Sequence, residues 1–455
     1  MEPSSDSPSP TSSSATSSSA TSPSQTVISA DWVITVDPDD RVVDDGAVVV
    51  TQGRITAVGE RAALVAEHPD ATHVALGPHA LIPGLVNAHT HLGMTMFRGL
   101  ADDRDLQSFL DRLLPAEAKV VDAARVGVAT RAAALESVTG GVTSALDMYY
   151  FAEAGIAAAA EVGLRMFGGP VLLDHPGPDG RRIEQAARWL DDRPAGTPLR
   201  PMLGPHSTYL ASPELLSMVG ALRETYDAIL HIHASETQHE VDTVRAARAR
   251  TPVEHLDDLG LLGPFTVLAH GVHLDDDEIA RIASTGATVA HCPASNLKLG
   301  AGVARVPDLL AAGANVALGT DGAASSNDLD MFAAMRLAAL LHKGVAGDPT
   351  AMPAHTVLRM ATLHGAAALG LSDRLGSIEV GKLADLVAVD LDRAHTRPVY
   401  DPISTLVYAA GRGDVRHVWV GGEHIVEDGR SRRVAHEQVV DELEGLADAV
   451  LAAAE

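Results

Sequence analysis

Eight short, mostly apolar segments of β-like sequence recur along this chain, each followed by an Ala-rich stretch with helical spacing of its apolar positions. This alternation restricts the fold more than any other feature. The segments are Ile82–Ala88, Thr143–Met148, Arg165–Val171, Pro201–Leu203, Ala228–Ile232, Thr266–Ala269, Thr288–His291 and Asn315–Leu318. Strands that alternate with helices pair in parallel, and eight of them predict an α/β fold closed as a (β/α)8 TIM barrel. Polar residues stand at or just past the C-terminal end of nearly every segment: His89 and His91, Asp147, His206, His233, Glu236, His270, His291 and Asp321. The loops at that end of such a barrel converge on one mouth, where its chemistry is found.

The chain has 455 residues, more than the roughly 250 of a bare barrel, so an appended module is expected. Residues 25–81 carry short β-rich runs (Trp32–Val36, Ala47–Val50, Arg54–Val58) broken by Asp and Gly. A related pattern returns at Ala384–Val389 and Val415–Val420. The two ends are therefore expected to pair as one small β-sandwich module, 25–81 with 376–430, around a barrel domain at 82–375. Residues 431–455 read as a C-terminal surface helix, from the alternation of acidic and Ala/Leu/Val positions after Glu437. Residues 1–24 are nearly all Ser, Thr, Pro and Ala, with neither the basic nor the apolar region of a secretory signal, and read as a disordered leader.

Composition narrows the partners. Hydrophobic residues make up 46% of the chain, enough for a large core. The net charge of −26 repels phosphate backbones and anionic lipid heads, which disfavours nucleic acid and membrane partners. The lone Cys292 excludes an intramolecular disulfide and any multi-cysteine zinc knuckle; it points to a reducing, cytoplasmic setting. A metal would have to be held by histidine and carboxylate.

The polar residues at the strand ends suit that task. His89 and His91 are two apart on a strand and point to the same side, where Zn²⁺ readily accepts neutral imidazole. A bare His-x-His is common by chance, but His233 ends the fifth segment and Asp321 follows the eighth. They supply a third imidazole and a hard carboxylate, leaving an open position for water. His231 shares a face with His233 and is the rival ligand; the reading preferred here is His233 as ligand and His231 as a packed barrel histidine. Glu236, three residues past His233, can take a proton from water and pass it on, as general acid/base. His270 can hydrogen-bond the water or orient Asp321, and His206 sits where a substrate heteroatom would lie. His291 and Cys292 are read as wall residues. The fourth segment has no lysine to carry a bridging carbamate, which favours a single metal ion.

These residues sit in blocks that resemble the amidohydrolase superfamily, and within it the methylthioadenosine/S-adenosylhomocysteine deaminase branch, from about Asp31 to Val426. The blocks are PGLVNAHTHLGMTMFRGLADD (Pro83–Asp103), LPAE (Leu114–Glu117), DMYYF (Asp147–Phe151), GPHSTYL (Gly204–Leu210), HIHASET (His231–Thr237), LAHGVHL (Leu268–Leu274), HCPASNLKLG (His291–Gly300) and LGTDGAASSNDLDMF (Leu318–Phe332). The resemblance implies a divalent metal, Zn²⁺ or else Fe²⁺ or Mn²⁺, on His89, His91, His233 and Asp321. It gives Glu236, His270 and Asp321 catalytic roles, with Glu117 receiving ribose hydroxyls and His206 and Glu236 contacting the nucleoside. The implied reaction is hydrolytic removal of the 6-amino group from adenosine, 5′-deoxyadenosine, methylthioadenosine or S-adenosylhomocysteine, giving an inosine-type product and ammonia. A homo-oligomer is compatible with it.

One departure bears on substrate. The third segment runs Phe167-Gly168-Gly169-Pro170-Val171, without the arginines that suit an amino-acid carboxylate in this branch. Arg165, Arg181 and Arg182 are the other candidates for such a grip. Two rivals differ in kind. A guanine- or triazine-type hydrolase of the same superfamily has no use for Glu117 as a ribose carboxylate. A non-catalytic scaffold relative would be expected to have lost ligands, and here none is lost.

Overall fold

The computed structural model describes residues 25–175, 177–193 and 200–454. The leader expected at residues 1–24 lies outside them. From the N-terminal side come β1 (Gln25–Ile34), β2 (Val42–Thr51), β3 (Arg54–Glu60), β4 (Thr72–Ala75) and β5 (His79–Pro83). The middle of the chain gives β6 (Leu85–Thr90), β7 (Val142–Asp147), β8 (Arg165–Phe167), β9 (Val171–Leu172), β10 (Met202–Pro205), β11 (Ile229–Ala234), β12 (Thr266–His270), β13 (Thr288–His291) and β14 (Asn315–Leu318). β15 (Leu386–Asp390), β16 (Val415–Val420), β17 (Glu423–Glu427) and β18 (Arg430–Ser431) follow.

β6 to β14 form the α/β barrel, as two arcs of parallel strands, β6-β7-β8 and β9-β10-β11-β12-β13-β14. β8 and β9 are halves of the single third strand expected at Arg165–Val171. Gly169 and Pro170 break it: a Cβ on Gly169 would lie 1.8 Å from the Met202 carbonyl oxygen, and Pro170 has no N–H for the ladder. The seam between β14 and β6 is closed by a side chain. Asn87 accepts from the Thr320 N–H at 3.1 Å and donates to its hydroxyl at 2.7 Å, and the Asp321 N–H reaches the His89 carbonyl at 3.0 Å.

The first expected strand, Ile82–Ala88, is in fact two. Ile82 and Pro83 pair antiparallel with β15, whereas β6 enters the barrel, and Gly84 turns the chain between them. A Cβ there would meet the Thr143 hydroxyl at 2.2 Å, so only glycine lets the two sheets join so closely. Both ends of the chain do share one sheet, ordered β18-β17-β16-β15-β5-β1-β2-β3, with β4 on β1. The edge curls back: the Ile55 N–H donates to the Lys382 carbonyl and the Ala384 N–H to that of Gly53.

The C-terminal segment differs from the single surface helix expected. It forms two helices, His436–Glu444 and Ala447–Ala454. The first is tied to the barrel by Glu442, which accepts from Arg131 at 2.5 Å. The second buries Val450 and Ala453 against the helix Leu106–Val120, whose Lys119 donates to the Ala453 carbonyl at 2.9 Å. Apolar spacing at the tail was therefore a packing face. No helix among the described residues is long and apolar enough to cross a membrane.

Candidate active site

β11 shows how the fold builds the mouth. Its alternation sends Leu230, Ile232 and Ala234 into the apolar layer under the helices and puts His231 and His233 on the opposite face. His89 and His91 arrive from β6, His270 from β12, and Asp321 from beyond β14. All are buried.

Hydrogen bonds set the imidazole tautomers. His91 Nδ1 lies 2.5 Å from the Met148 carbonyl and His233 Nδ1 lies 2.7 Å from the His206 carbonyl. A carbonyl only accepts, so each Nδ1 carries a proton and each Nε2 is the ring atom turned toward the site. His89 Nδ1 meets His231 Nε2 at 2.8 Å. The Nε2 atoms of His91 and His89 approach Asp321 Oδ1 at 3.1 and 3.2 Å, and His233 Nε2 lies 3.3 Å from His91 Nε2. Metal–ligand bonds of roughly 2.0–2.1 Å put neighbouring donor atoms about 3 Å apart. His89 Nε2 is buried with no hydrogen-bond partner, which a metal would satisfy. Both His89–His91–His233 and His89–His270–Asp321 have donor atoms close enough to hold one ion.

Charge points the same way. Burial works against a charged His91, yet the Asp321 carboxylate beside it raises its pKa to about 9, while burial drives neighbouring His89 down to about 3. The pocket thus favours one positive charge beside Asp321 and resists a second. Asp321 itself sits at φ 62°, a strained conformation for a non-glycine residue. Ser295 and Ser325 donate to its other oxygen at 2.6 and 2.7 Å.

Glu236 is buried, which raises its pKa, and its Oε1 lies 3.7 Å from His270 Nε2. The His270 Nδ1 is 2.9 Å from Asn296 Oδ1, so Nε2 faces the site. The Glu236 N–H donates to Glu240 at 2.8 Å, and Glu240 also accepts from Thr208 at 3.0 Å, joining the Glu236 turn to the loop that carries His206. The His206 ring packs 4.7 Å from that of His233, and burial lowers its pKa to about 4.

A cavity partly open to solvent brings His91, His206, His233, Glu236, His270 and Asp321 together with Glu117. Burial raises the Glu117 carboxyl to about 7, and Tyr149 donates to it at 2.6 Å. Tyr149, Asn296, Ser295, Ser325 and Glu240 were not singled out as functional in the sequence, although the first four stand inside its motif blocks. Two expectations need correction. His291 and Cys292 do not line the cavity: His291 turns away to His342, 3.2 Å off, and the Cys292 thiol is buried against the Ala290 carbonyl. None of the three candidate arginines lines it either. Arg165 is bound to Asp385 at the opposite end of the barrel, Arg181 to Glu153 at 2.7 Å, and Arg182 is exposed before the helix Ile183–Asp191.

The sequence profile described as Amidohydrolase family matches residues 80–425, which span the whole barrel and β15 to β16. The chain belongs to the amidohydrolase family. A second profile, an imidazolonepropionase-like composite domain of bacteria, matches residues 46–71. Among relatives of this amidohydrolase, the 5-methylthioadenosine/S-adenosylhomocysteine deaminase of Syntrophobacter fumaroxidans is 44% identical over 91% of this chain and 96% of its own length. The 5′-deoxyadenosine deaminase of Methanopyrus kandleri is 38% identical over 90% of this chain and 95% of its own. An adenosine deaminase from Xanthomonas campestris, solved with bound zinc, superposes with a TM-score of 0.90 at 36% identity, over 94% of this chain and 99% of that one.

Proposed function

We propose that this amidohydrolase is a hydrolytic deaminase of adenine nucleosides, acting through one divalent metal ion, Zn²⁺ by preference. The chain of close approaches from His233 Nε2 through His91 Nε2 to Asp321 Oδ1 and on to His89 Nε2, each 3.1–3.3 Å, in a cavity shared with Glu236, carries the reading. His89, His91, His233 and Asp321 would hold the ion. A bound divalent metal supplies Lewis-acid activation of a water at neutral pH. Glu236 takes a proton from the attacking water and delivers it to a ring nitrogen as the water oxygen bonds to C6. Asp321 and His270 orient the water, with a second water proton passing through Asp321 to the amino group. The C6–N bond then breaks, ammonia leaves and the ring keeps a carbonyl. His206 hydrogen-bonds the nucleoside. Glu117 receives ribose hydroxyls, for which its buried carboxyl beside Tyr149 is suited.

We further read residues 82–375 as the catalytic barrel domain, and residues 25–81 with 376–430 as a two-layered β-sandwich module. The inward-curled sheet supports this, because Ile28, Val48, Ile55, Leu81, Leu386 and Trp419 share one apolar cluster.

The test is to load the protein with zinc and offer it adenosine, 5′-deoxyadenosine, methylthioadenosine, guanine and a triazine. Ammonia and the ultraviolet change from adenine to hypoxanthine are followed. Turnover of the nucleosides, lost in Glu236→Ala with metal content retained, is expected. Turnover of the free heterocycles alone would overturn the role of Glu117 and the nucleoside assignment with it.

A further inference from the structure

The helix Leu106–Val120 supplies one whole wall of the cavity. Leu106, Leu110, Leu114 and Glu117 recur at helical spacing and all line the cavity, together with Phe109. Asp105 caps this helix by accepting from the Ser108 N–H, and the C-terminal helix braces its far side, so the wall is held from both ends. Leu114 lies 42% exposed at the rim.

From this wall we infer that the site selects adenine nucleosides with an uncharged, apolar 5′ substituent, such as 5′-deoxy or 5′-alkylthio, and discriminates against 5′ groups bearing a carboxylate or phosphate. Leu114 is then a specificity-determining residue. The inference rests on the nucleoside reading above. If Glu117 receives the ribose hydroxyls, the sugar is fixed at one point on this helix. Leu114, Leu110 and Leu106 precede Glu117 by 3, 7 and 11 residues, about 4.5, 10.5 and 16.5 Å along the axis at roughly 1.5 Å per residue. A group leaving the ribose at the 5′ carbon toward the rim runs along that leucine track.

The electrostatics agree. Among the described residues, the lining holds the carboxylates Glu117, Glu236 and Asp321 and neither a lysine nor an arginine. An anionic or zwitterionic tail along the leucine wall would be stripped of water with no lysine or arginine among the described lining residues to replace it, which costs affinity. Arg181 and Arg182 are cations in the loop beyond the third strand, and Arg182 is exposed while Arg181 is half-buried. The Arg181 guanidinium is held by Glu153, and Asp179 lies 3.8 Å from its Nε.

The test measures kcat/KM on the zinc-loaded enzyme for methylthioadenosine, 5′-deoxyadenosine, adenosine, S-adenosylhomocysteine and adenosine 5′-monophosphate. Dissociation constants for the same compounds are measured on Glu236→Ala, which cannot turn them over, and are compared as ratios because the lost contact to the base is common to all five. Methylthioadenosine and 5′-deoxyadenosine should exceed S-adenosylhomocysteine by about tenfold or more in both readouts, since a tenfold ratio needs only about 1.4 kcal/mol, and the monophosphate should be inert. Leu114→Arg should raise the S-adenosylhomocysteine to methylthioadenosine ratio about tenfold by pairing with the tail carboxylate. The inference is overturned if S-adenosylhomocysteine matches methylthioadenosine in the unaltered protein, or if Leu114→Arg leaves the ratio unchanged. Loss of S-adenosylhomocysteine turnover in Arg181→Ala would show that Arg181 swings into the cavity instead. If no nucleoside reacts or binds, the deaminase reading fails and this inference with it; if all five react alike, only the inference fails.

Discussion

The two ends of the barrel handle buried charge in opposite ways. At the bottom, Arg165 enters with the third strand and meets Asp385 through two contacts of 2.5 and 3.2 Å, with the Gly421 N–H completing the carboxylate at 2.7 Å. That buried pair is matched in charge and its hydrogen bonds are made. At the mouth, carboxylates and imidazoles crowd together, His89 Nε2 lies 3.2 Å from Asp321 without a well-formed hydrogen bond, and the pKa values of Glu117 and Asp147 are both raised by burial to about 7. The fold holds that arrangement only because the rest of the barrel over-determines it. The contrast separates stability from chemistry within one set of strands.

Substitutions at the two ends should therefore fail in different currencies. The largest effect is expected for Glu236→Gln, which keeps shape and hydrogen-bonding length but cannot shuttle a proton; kcat/KM should drop by about 10³-fold while the thermal midpoint and metal content hold. Equal loss of stability would blur the distinction between the ends. Next, Asp385→Ala strands Arg165 and should destabilise the protein by about 3 kcal/mol in urea unfolding, with turnover per folded molecule unchanged.

Smaller effects probe what holds the mouth. Asn296→Ala frees the His270 ring, and kcat should fall about 10- to 100-fold with little change in KM; Asn296→Asp, which keeps the acceptor, should recover much of it. Lys298 joins three loops around the rim, donating to Asp102 at 2.7 Å, to the Ala324 carbonyl at 3.2 Å and to Asn327. Lys298→Met should loosen Leu299 and Ser325 at the cavity wall and raise KM several-fold, while kcat moves less. An unchanged KM would assign the node to folding alone. The smallest effect concerns Glu240, whose carboxyl burial raises from an ordinary value near 4.5 to about 7. Between those values the folded protein keeps a proton that the unfolded chain has released, so stability declines as pH rises through the window. Glu240→Gln should flatten that decline, read as urea midpoints at pH 5 and pH 8.

The strand pattern made much of the barrel legible, because period-two burial on a strand and apolar periodicity on a helix are local properties. β7, β12, β13 and β14 begin and end within a residue or so of the expected segments. The breaks at Gly84 and Gly169 were not readable in that way. Each glycine is required by an atom far off in sequence, the Thr143 side chain and the Met202 carbonyl.

The same division runs through the site. Sequence by itself determined which residues stand at the strand ends, since a residue that ends a barrel strand has its side of the molecule assigned by chain direction. His89, His91, His233, Glu236, His270 and Asp321 all lie at the one mouth for that reason. Only the tertiary structure decided what those residues face. The carbonyls of Met148 and His206 set the tautomers of His91 and His233, Asn296 turns His270, Tyr149 shares its proton with Glu117, and the leucines of Leu106–Val120 wall the cavity in place of the arginines. These are contacts between segments tens to hundreds of residues apart, and hydrogen-bond direction and burial exist only once the chain has closed around them.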